Sequence, residues 1–269
     1  RILHDSGGCR FDVRVSSLPT IHGEKIVMRL LTRQIELLDL KNLGFSPGQL
    51  EAYLSAIRHP HGLVLISGPT GSGKSTTLYA TLRLLNDVVS NILTIEDPVE
   101  YTLEGVNQVQ LKEEIGLTFT SALRTFLRQD PDVIMLGEIR DADTAQMAIR
   151  GSLTGHLIFS TIHTNSAWGR VSRLIDMGVH PYLISDTLIL CMAQRLVRLL
   201  CPECKREIEP DEHAKRLLGA DFQSGKLYRA VGCEHCYYTG YSGRKAIYEV
   251  IPIDDELAGA IRTAESEVG

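Results

Sequence analysis

Nine consecutive residues, Gly68-Pro69-Thr70-Gly71-Ser72-Gly73-Lys74-Ser75-Thr76, fit the spacing G-x-x-x-x-G-K-[ST]. Residue types in that order suit one task, holding a chain of phosphates. Glycines at 68, 71 and 73 let the backbone curl and turn its N–H groups onto phosphate oxygens. Lys74 would reach the β- and γ-phosphates, and the Ser75 hydroxyl would ligate Mg²⁺. A second chemical group stands at the end of Val133-Ile134-Met135-Leu136-Gly137-Glu138. There Glu138 suits a general base that takes a proton from an attacking water. The competing structural reading is a carboxylate paired with Arg140. Gly137 stands where a metal-binding Asp is usual, so another carboxylate must help hold Mg²⁺, and Glu96, Asp97 and Glu100 are the supply. Asp97-Pro98 also suits a plain turn. His163 follows an apolar run and could read a γ-phosphate, or serve structure alone; His156 is the weaker candidate.

A third group is Cys201-Pro202-Glu203-Cys204 with Cys233-Glu234-His235-Cys236. Two C-x-x-C pairs suit a closed tetrahedral Zn²⁺ site with a structural role. Redox or unpaired thiols are the other reading, and His235 is a less favoured ligand. The stretch between the pairs is too short for a core of its own, so metal would supply much of its folding energy. Cys9 and Cys191 stand apart and read as buried structural thiols.

These groups need a frame. Leu63-Val64-Leu65-Ile66 suits a buried strand, and Thr77 to Leu85 has helical spacing, so the glycine loop lies between strand and helix. Further strands are expected at 92–95, 133–136 and 157–159. Helices are expected at about 49–57, at 121–128 stopped by Asp130-Pro131, from a cap at Asp141 to about 153, and at about 166–177. The alternation predicts an α/β fold with a mostly parallel sheet. Ligands of such sheets bind at the carboxyl ends of the strands, where the acidic and histidine residues fall. Before residue 38, Phe11, Val13 and Val15 alternate with polar residues, and Lys25 to Leu31 reads as a second strand, together the end of a small β-rich domain. Residues 39–48 carry turn and capping types and suit a linker.

The chain has 269 residues, 43 % of them hydrophobic, enough for a real core in one or two domains. Its 28 Lys+Arg against 33 Asp+Glu give a net charge of −5, which does not advertise nucleic acid or an anionic membrane. No stretch approaches about 18 uninterrupted apolar residues, so no transmembrane helix is expected. The start, Arg1-Ile2-Leu3-His4-Asp5, is no signal peptide and reads as mid-domain sequence, so residues are expected before it.

The motifs together resemble a family. Gly68 to Thr76, Ile95-Glu96-Asp97-Pro98-Val99-Glu100, Leu136-Gly137-Glu138-Ile139-Arg140-Asp141, and Thr154-Gly155-His156 through His163-Thr164-Asn165 resemble the Walker A, Asp box, atypical Walker B and His box of secretion ATPases. These are the motors of type II secretion and type IV pili. The tetracysteine pairs look like the secretion and pilus-assembly branch. The resemblance implies a RecA-like ATPase domain (49–198) and a preceding small α+β domain, here partial (1–38). It further implies a tetracysteine zinc subdomain (199–242) and a truncated helical segment (243–269). It implies ATP, Mg²⁺ and Zn²⁺, a homo-hexameric ring, and inner-membrane platform and adaptor proteins as partners. The expected place is the cytoplasmic face of a bacterial inner membrane, with no direct insertion and no nucleic acid. Arg14 and Arg29 match arginines that the family's small domain supplies to the nucleotide. Arg29 stands in the apolar run Ile26 to Leu31, where a charge needs a partner. Against the family's pattern, a far N-terminal partner-binding region is expected before Arg1 and a further C-terminal stretch after Glu265 to Gly269. Two rival readings are a RecA-like nucleic-acid translocase with a zinc ribbon and a nucleotide-gated scaffold without turnover.

Overall fold

The computed structural model describes residues 2–6, 9–32, 39–162, 169–218 and 226–263, with the backbone alone for 2–6, 9–12, 14, 29–32, 213 and 218. Strands β1 (Ile2–Ser6), β2 (Cys9–Thr20) and β3 (Gly23–Thr32) form an antiparallel sheet in that order. Asp39 caps the 3-10 turn Leu40–Asn42 by accepting from the Lys41 N–H. Leu40 and Leu43 are buried, so the expected linker packs on the body that follows it. Helix α1 (Pro47–Ala56) starts two residues before the expected Gln49, because Ser46 and Gln49 form a capping box and Pro47 suits the first turn.

The body is a seven-stranded sheet. Its strands are β4 (Gly62–Ser67), β5 (Ile92–Glu96), β6 (Asn107–Gln110), β7 (Val133–Leu136), β8 (Leu157–Ile162), β9 (Leu188–Leu200) and β12 (Tyr241–Pro252). They lie in the order β12-β9-β4-β8-β7-β5-β6. All neighbours run parallel except β12, which pairs antiparallel with β9 at the edge. Along β4, Leu63 and Leu65 join one core while Val64 and Ile66 join the other. Helices cover both faces, which is why the strands read as unbroken apolar runs. On one face lie α3 (Phe119–Phe126), α4 (Ala142–Leu153), α5 (Gly169–Asp176), α6 (Pro181–Thr187) and α8 (Asp255–Thr263). On the other lie α1 and α2 (Lys74–Leu85). Asp141 caps α4 as the sequence reading had it, accepting from the Thr144 N–H at 2.8 Å.

Three expectations need correction. Helix α3 begins at Phe119, not Ser121, because Thr118 and Ser121 make the cap. The segment 243–269 is not simply helical: its first part belongs to β12, and α8 follows. Tyr248 and Val250 pair with β9 and pack against the α1–α2 core, a packing that helical periodicity does not foresee. A boundary at 198 falls inside β9, and the sheet resumes at Tyr241, so the tetracysteine segment is an insertion between two paired strands. Within it lie the hairpin β10 (Arg206–Ile208) and β11 (Leu227–Arg229) and the helix α7 (Glu212–Leu218). Strand β6, rich in Asn and Gln, had no sequence signal and exists because it pairs with β5.

Candidate functional site

The glycine loop joins β4 to α2. Gly68 has φ +149° and Gly73 has φ +91°, both in the region that favours glycine. A Cβ on Gly68 would lie 2.2 Å from the Gln194 carbonyl oxygen, and one on Gly73 would lie 2.8 Å from Gln194 Nε2. The spacing of glycines is thus fixed by close packing as well as by curvature. Helix α2 has no side-chain cap, so its first N–H groups are left to a ligand. Ser72 is 2 % exposed, and its Oγ has no hydrogen-bond partner among the described residues. A curled backbone, an uncapped helix end and an orphaned hydroxyl fit a bound phosphate chain. Lys74 Nζ donates to the carbonyls of Gly68 at 2.8 Å and Pro69 at 3.2 Å. Burial holds its ammonium below the ordinary lysine range, and the charge of Glu138 works against that.

The loop borders a cavity of about 660 Å³ at the carboxyl ends of the parallel strands. Thr70 to Thr76, Glu96, Asp97, Glu100 and Glu138 all line it. The carboxylates differ in what they face. Glu96 is 5 % exposed; its Oε1 accepts from Thr94 Oγ1 at 2.6 Å and Gln108 Nε2 at 3.0 Å, and its Oε2 from the Tyr79 hydroxyl. It is committed to bracing β5, β6 and α2. Tyr79 in turn accepts from the Glu100 N–H at 3.1 Å and packs edge-on against Tyr101. Glu138 pairs with Arg140 at 2.5 Å, and the same guanidinium reaches Asp97 at 3.0 Å and Glu113 at 3.7 Å. Its Cζ lies 5.5 Å from the Phe119 ring. The Glu138 hydrogen bond, joined by Asp97, raises the Arg140 pKa above its ordinary value against the effect of burial. Gly137 has its own reason to lack a side chain: a Cβ there would lie 3.2 Å from the Ile95 carbonyl oxygen and 3.4 Å from the Phe119 ring.

The four cysteines come together in the insertion, just beyond the paired ends Leu200 of β9 and Tyr241 of β12. Their sulfur atoms all lie within 4.8 Å of one another. Cys204–Cys236 and Cys233–Cys236 are 3.8 Å apart and Cys201–Cys233 4.0 Å. A tetrahedron with metal–sulfur bonds of about 2.3 Å has edges of about 3.8 Å, whereas a disulfide needs about 2 Å. The donor set and its dimensions fit Zn²⁺. Burial pushes the Cys236 thiol up, but N–H groups of Cys233 and Gly240, each 3.2 Å from its sulfur, bring it down to about 6. Cys191, by contrast, is buried in the core, and burial raises its pKa.

The family profile described as Type II/IV secretion system protein matches residues 2–269. The chain belongs to this family. It is 50 % identical over 268 residues to the type II secretion system protein E of Pseudomonas aeruginosa, and 50 % identical over 272 residues to the type II secretion system ATPase E of Vibrio cholerae. Each match covers 99 % of this chain and 53 % of the relative, so the chain spans about half the length of these proteins. It is 48 % identical over 269 residues to the type IV pilus assembly ATPase PilB of Thermus thermophilus, covering 99 % of this chain and 30 % of that protein. Among solved structures, the pilus retraction motor PilT with bound ADP superposes with a TM-score of 0.70 at 29 % identity, covering 99 % of this chain and 67 % of that one. The Legionella pneumophila ATPase DotB, at 23 % identity and a TM-score of 0.65, covers 97 % and 65 % and shares the fold.

In this secretion-family chain the sequence candidates separate into three groups. The glycine loop, Asp-box carboxylates and Glu138 share one cavity. His156 lies at the opposite end of the sheet, before β8; its Nδ1 is 2.9 Å from the Gly151 carbonyl and 3.2 Å from Thr154 Oγ1. His163 and the side chains of Arg14 and Arg29 lie outside the described residues, although the backbone pairs Arg14 directly with Arg29 across β2 and β3. Sequence reasoning missed Tyr79, Tyr101, Phe119, Thr161, Leu196 and Arg244, which complete the cavity wall. Only Thr161 stands within a quoted motif, the stretch from Thr154 to Asn165. Outside the motifs a signal existed for Tyr79, a bulky polar ring on the inward face of the loop's own helix.

Proposed function

We propose that the protein is the ATPase part of a homo-hexameric motor that drives pilin or pseudopilin movement in type II secretion or type IV pilus assembly. Its place is the cytoplasmic face of a bacterial inner membrane, with platform and adaptor proteins as partners and no nucleic acid. Among the described residues no helix is long and apolar enough to cross a membrane. The observation that carries the reading is that Lys74, Ser75 and Glu138 line one cavity at the carboxyl ends of the strands. The ADP named with PilT supports an adenine nucleotide as the occupant.

In this reading the loop N–H groups and Lys74 bind the phosphates and stabilise the charge that develops there. Ser75, with Asp97 or Glu100, would hold Mg²⁺, which supplies charge neutralisation on the phosphates. Glu96 acts behind them, as a buried brace. Glu138 takes the proton of the attacking water, its carboxylate oriented by Arg140. Arg14 and Arg29 serve as arginine fingers from the small domain, and His163 reads the γ-phosphate. The four cysteines hold Zn²⁺ and fold the insertion. The small domain ends by 38, the linker is 39–48, and the ATPase body includes β12 beyond the zinc insertion. Phosphate release from Mg-ATP tests the reading: Lys74→Ala is expected to lose at least on the order of 10²-fold in turnover. Turnover equal to the unaltered protein's would overturn it.

A further inference from the structure

A loop whose curvature rests on glycines cannot hold its shape through its own side chains, so its support must come from outside. Gln194 on β9 supplies it. In the β4–β9 register Ser67 stands beside Ala193, which sets Gln194 against the start of the loop. Its carbonyl oxygen occupies the space a Gly68 Cβ would take, and its side-chain Nε2 the space of a Gly73 Cβ. Its Oε1 accepts from Thr77 Oγ1 at 2.9 Å. Thr77 is fully buried one turn along α2 from Lys74; its hydroxyl also lies at a long 3.5 Å from the Gly73 carbonyl and within hydrogen-bonding reach of Tyr248. Gln194 is 2 % exposed and does not line the nucleotide cavity. One residue therefore meets the first glycine with its carbonyl oxygen, and the last glycine and the first turn of the helix with its side chain, without reaching the cavity.

We infer that Gln194 is a positioning residue for the phosphate site, holding the loop's N–H groups and Lys74 in a phosphate-binding arrangement through its bond to Thr77. This rests on the nucleotide reading above. The physical basis is that a preorganised loop binds phosphate without first ordering itself, and a loosened one must pay that cost on binding.

The test uses the whole chain, a fluorescent ATP analogue with Mg²⁺, and thermal unfolding without nucleotide. Thr77→Val keeps the volume and removes the hydroxyl; Gln194→Leu removes the acceptor; Thr77→Ser keeps the hydroxyl. Thr77→Val and Gln194→Leu are each expected to weaken binding roughly 10-fold, the worth of about one buried hydrogen bond. The double variant is expected to be no weaker than either single, because both remove the same bond. Thr77→Ser is expected to bind within about twofold of the unaltered protein. A Thr77→Val protein that unfolds at lower temperature but binds like the unaltered one overturns the inference, since that is what a purely structural bond would do. Multiplying losses in the double variant overturn it too. If Gln194→Leu does not fold, the Val and Ser variants at 77 decide. Tight binding by the unaltered protein with no change in the variants defeats this inference alone, whereas no binding by the unaltered protein defeats the nucleotide reading with it.

Discussion

The glycine-loop cavity and the cysteine cluster are built in opposite ways. The cavity draws on residues from the loop after β4, from α2, from the ends of β5, β7 and β8, and from the β9–β12 hairpin. Its charges are shared, so that one guanidinium serves Glu138, Asp97 and Glu113. The cluster uses two short C-x-x-C turns at the feet of two paired strands, with sulfurs held by their own knuckle N–H groups. A distributed site keeps its geometry only while the whole sheet stands. A local one depends on four side chains and the ion they fit. The two are not independent, however. Leu196 and Arg244, on the strands that carry the cysteines, also line the cavity.

The sharpest contrast comes from Glu138→Gln. It is expected to leave Mg-ATP binding near that of the unaltered protein while lowering turnover on the order of 10²–10⁴-fold, because an amide cannot take the proton. If affinity collapses along with turnover, Glu138 is a binding group, and the division of labour around the cavity is misassigned. Metal analysis is expected to find about one Zn²⁺ per chain, lost in Cys236→Ser, with the insertion then open to proteolysis. Through Leu196 and Arg244 the same variant is expected to weaken nucleotide binding by a few-fold, roughly 1 kcal/mol. A loss as large as that of Lys74→Ala would erase the contrast between local and distributed. Unchanged nucleotide binding would show that the hairpin bears the cysteines without coupling them. Smallest is Tyr79→Phe, which deprives buried Glu96 of a donor. It is expected to cost about 1–3 kcal/mol in denaturant unfolding, with a lesser effect on turnover. Unchanged stability would mean that Glu96 is not the brace described here.

The sequence by itself determined the parts whose chemistry is local. Gly68 to Thr76 announce a phosphate loop because backbone curvature, a lysine and a hydroxyl must occur at fixed spacing. The cysteine pairs announce a metal site because a knuckle closes within four residues. The apolar runs Leu63–Ile66 and Val133–Leu136 announce strands buried on both faces. What lay beyond local spacing only the tertiary structure decided. β6 is a strand because β5 offers it an edge, and β12 because β9 does. Arg140 meets Asp97 and Glu113 across long sequence separations. Glu96 turns inward as a brace because Tyr79, Thr94 and Gln108 surround it with donors. His156 ends at the far side of the sheet from the cavity because it precedes β8, whose carboxyl end carries Thr161 into the cavity wall. Gln194 stands 120 positions from Lys74 in numbering yet braces the loop it belongs to, because a parallel sheet sets strands side by side regardless of their distance along the chain.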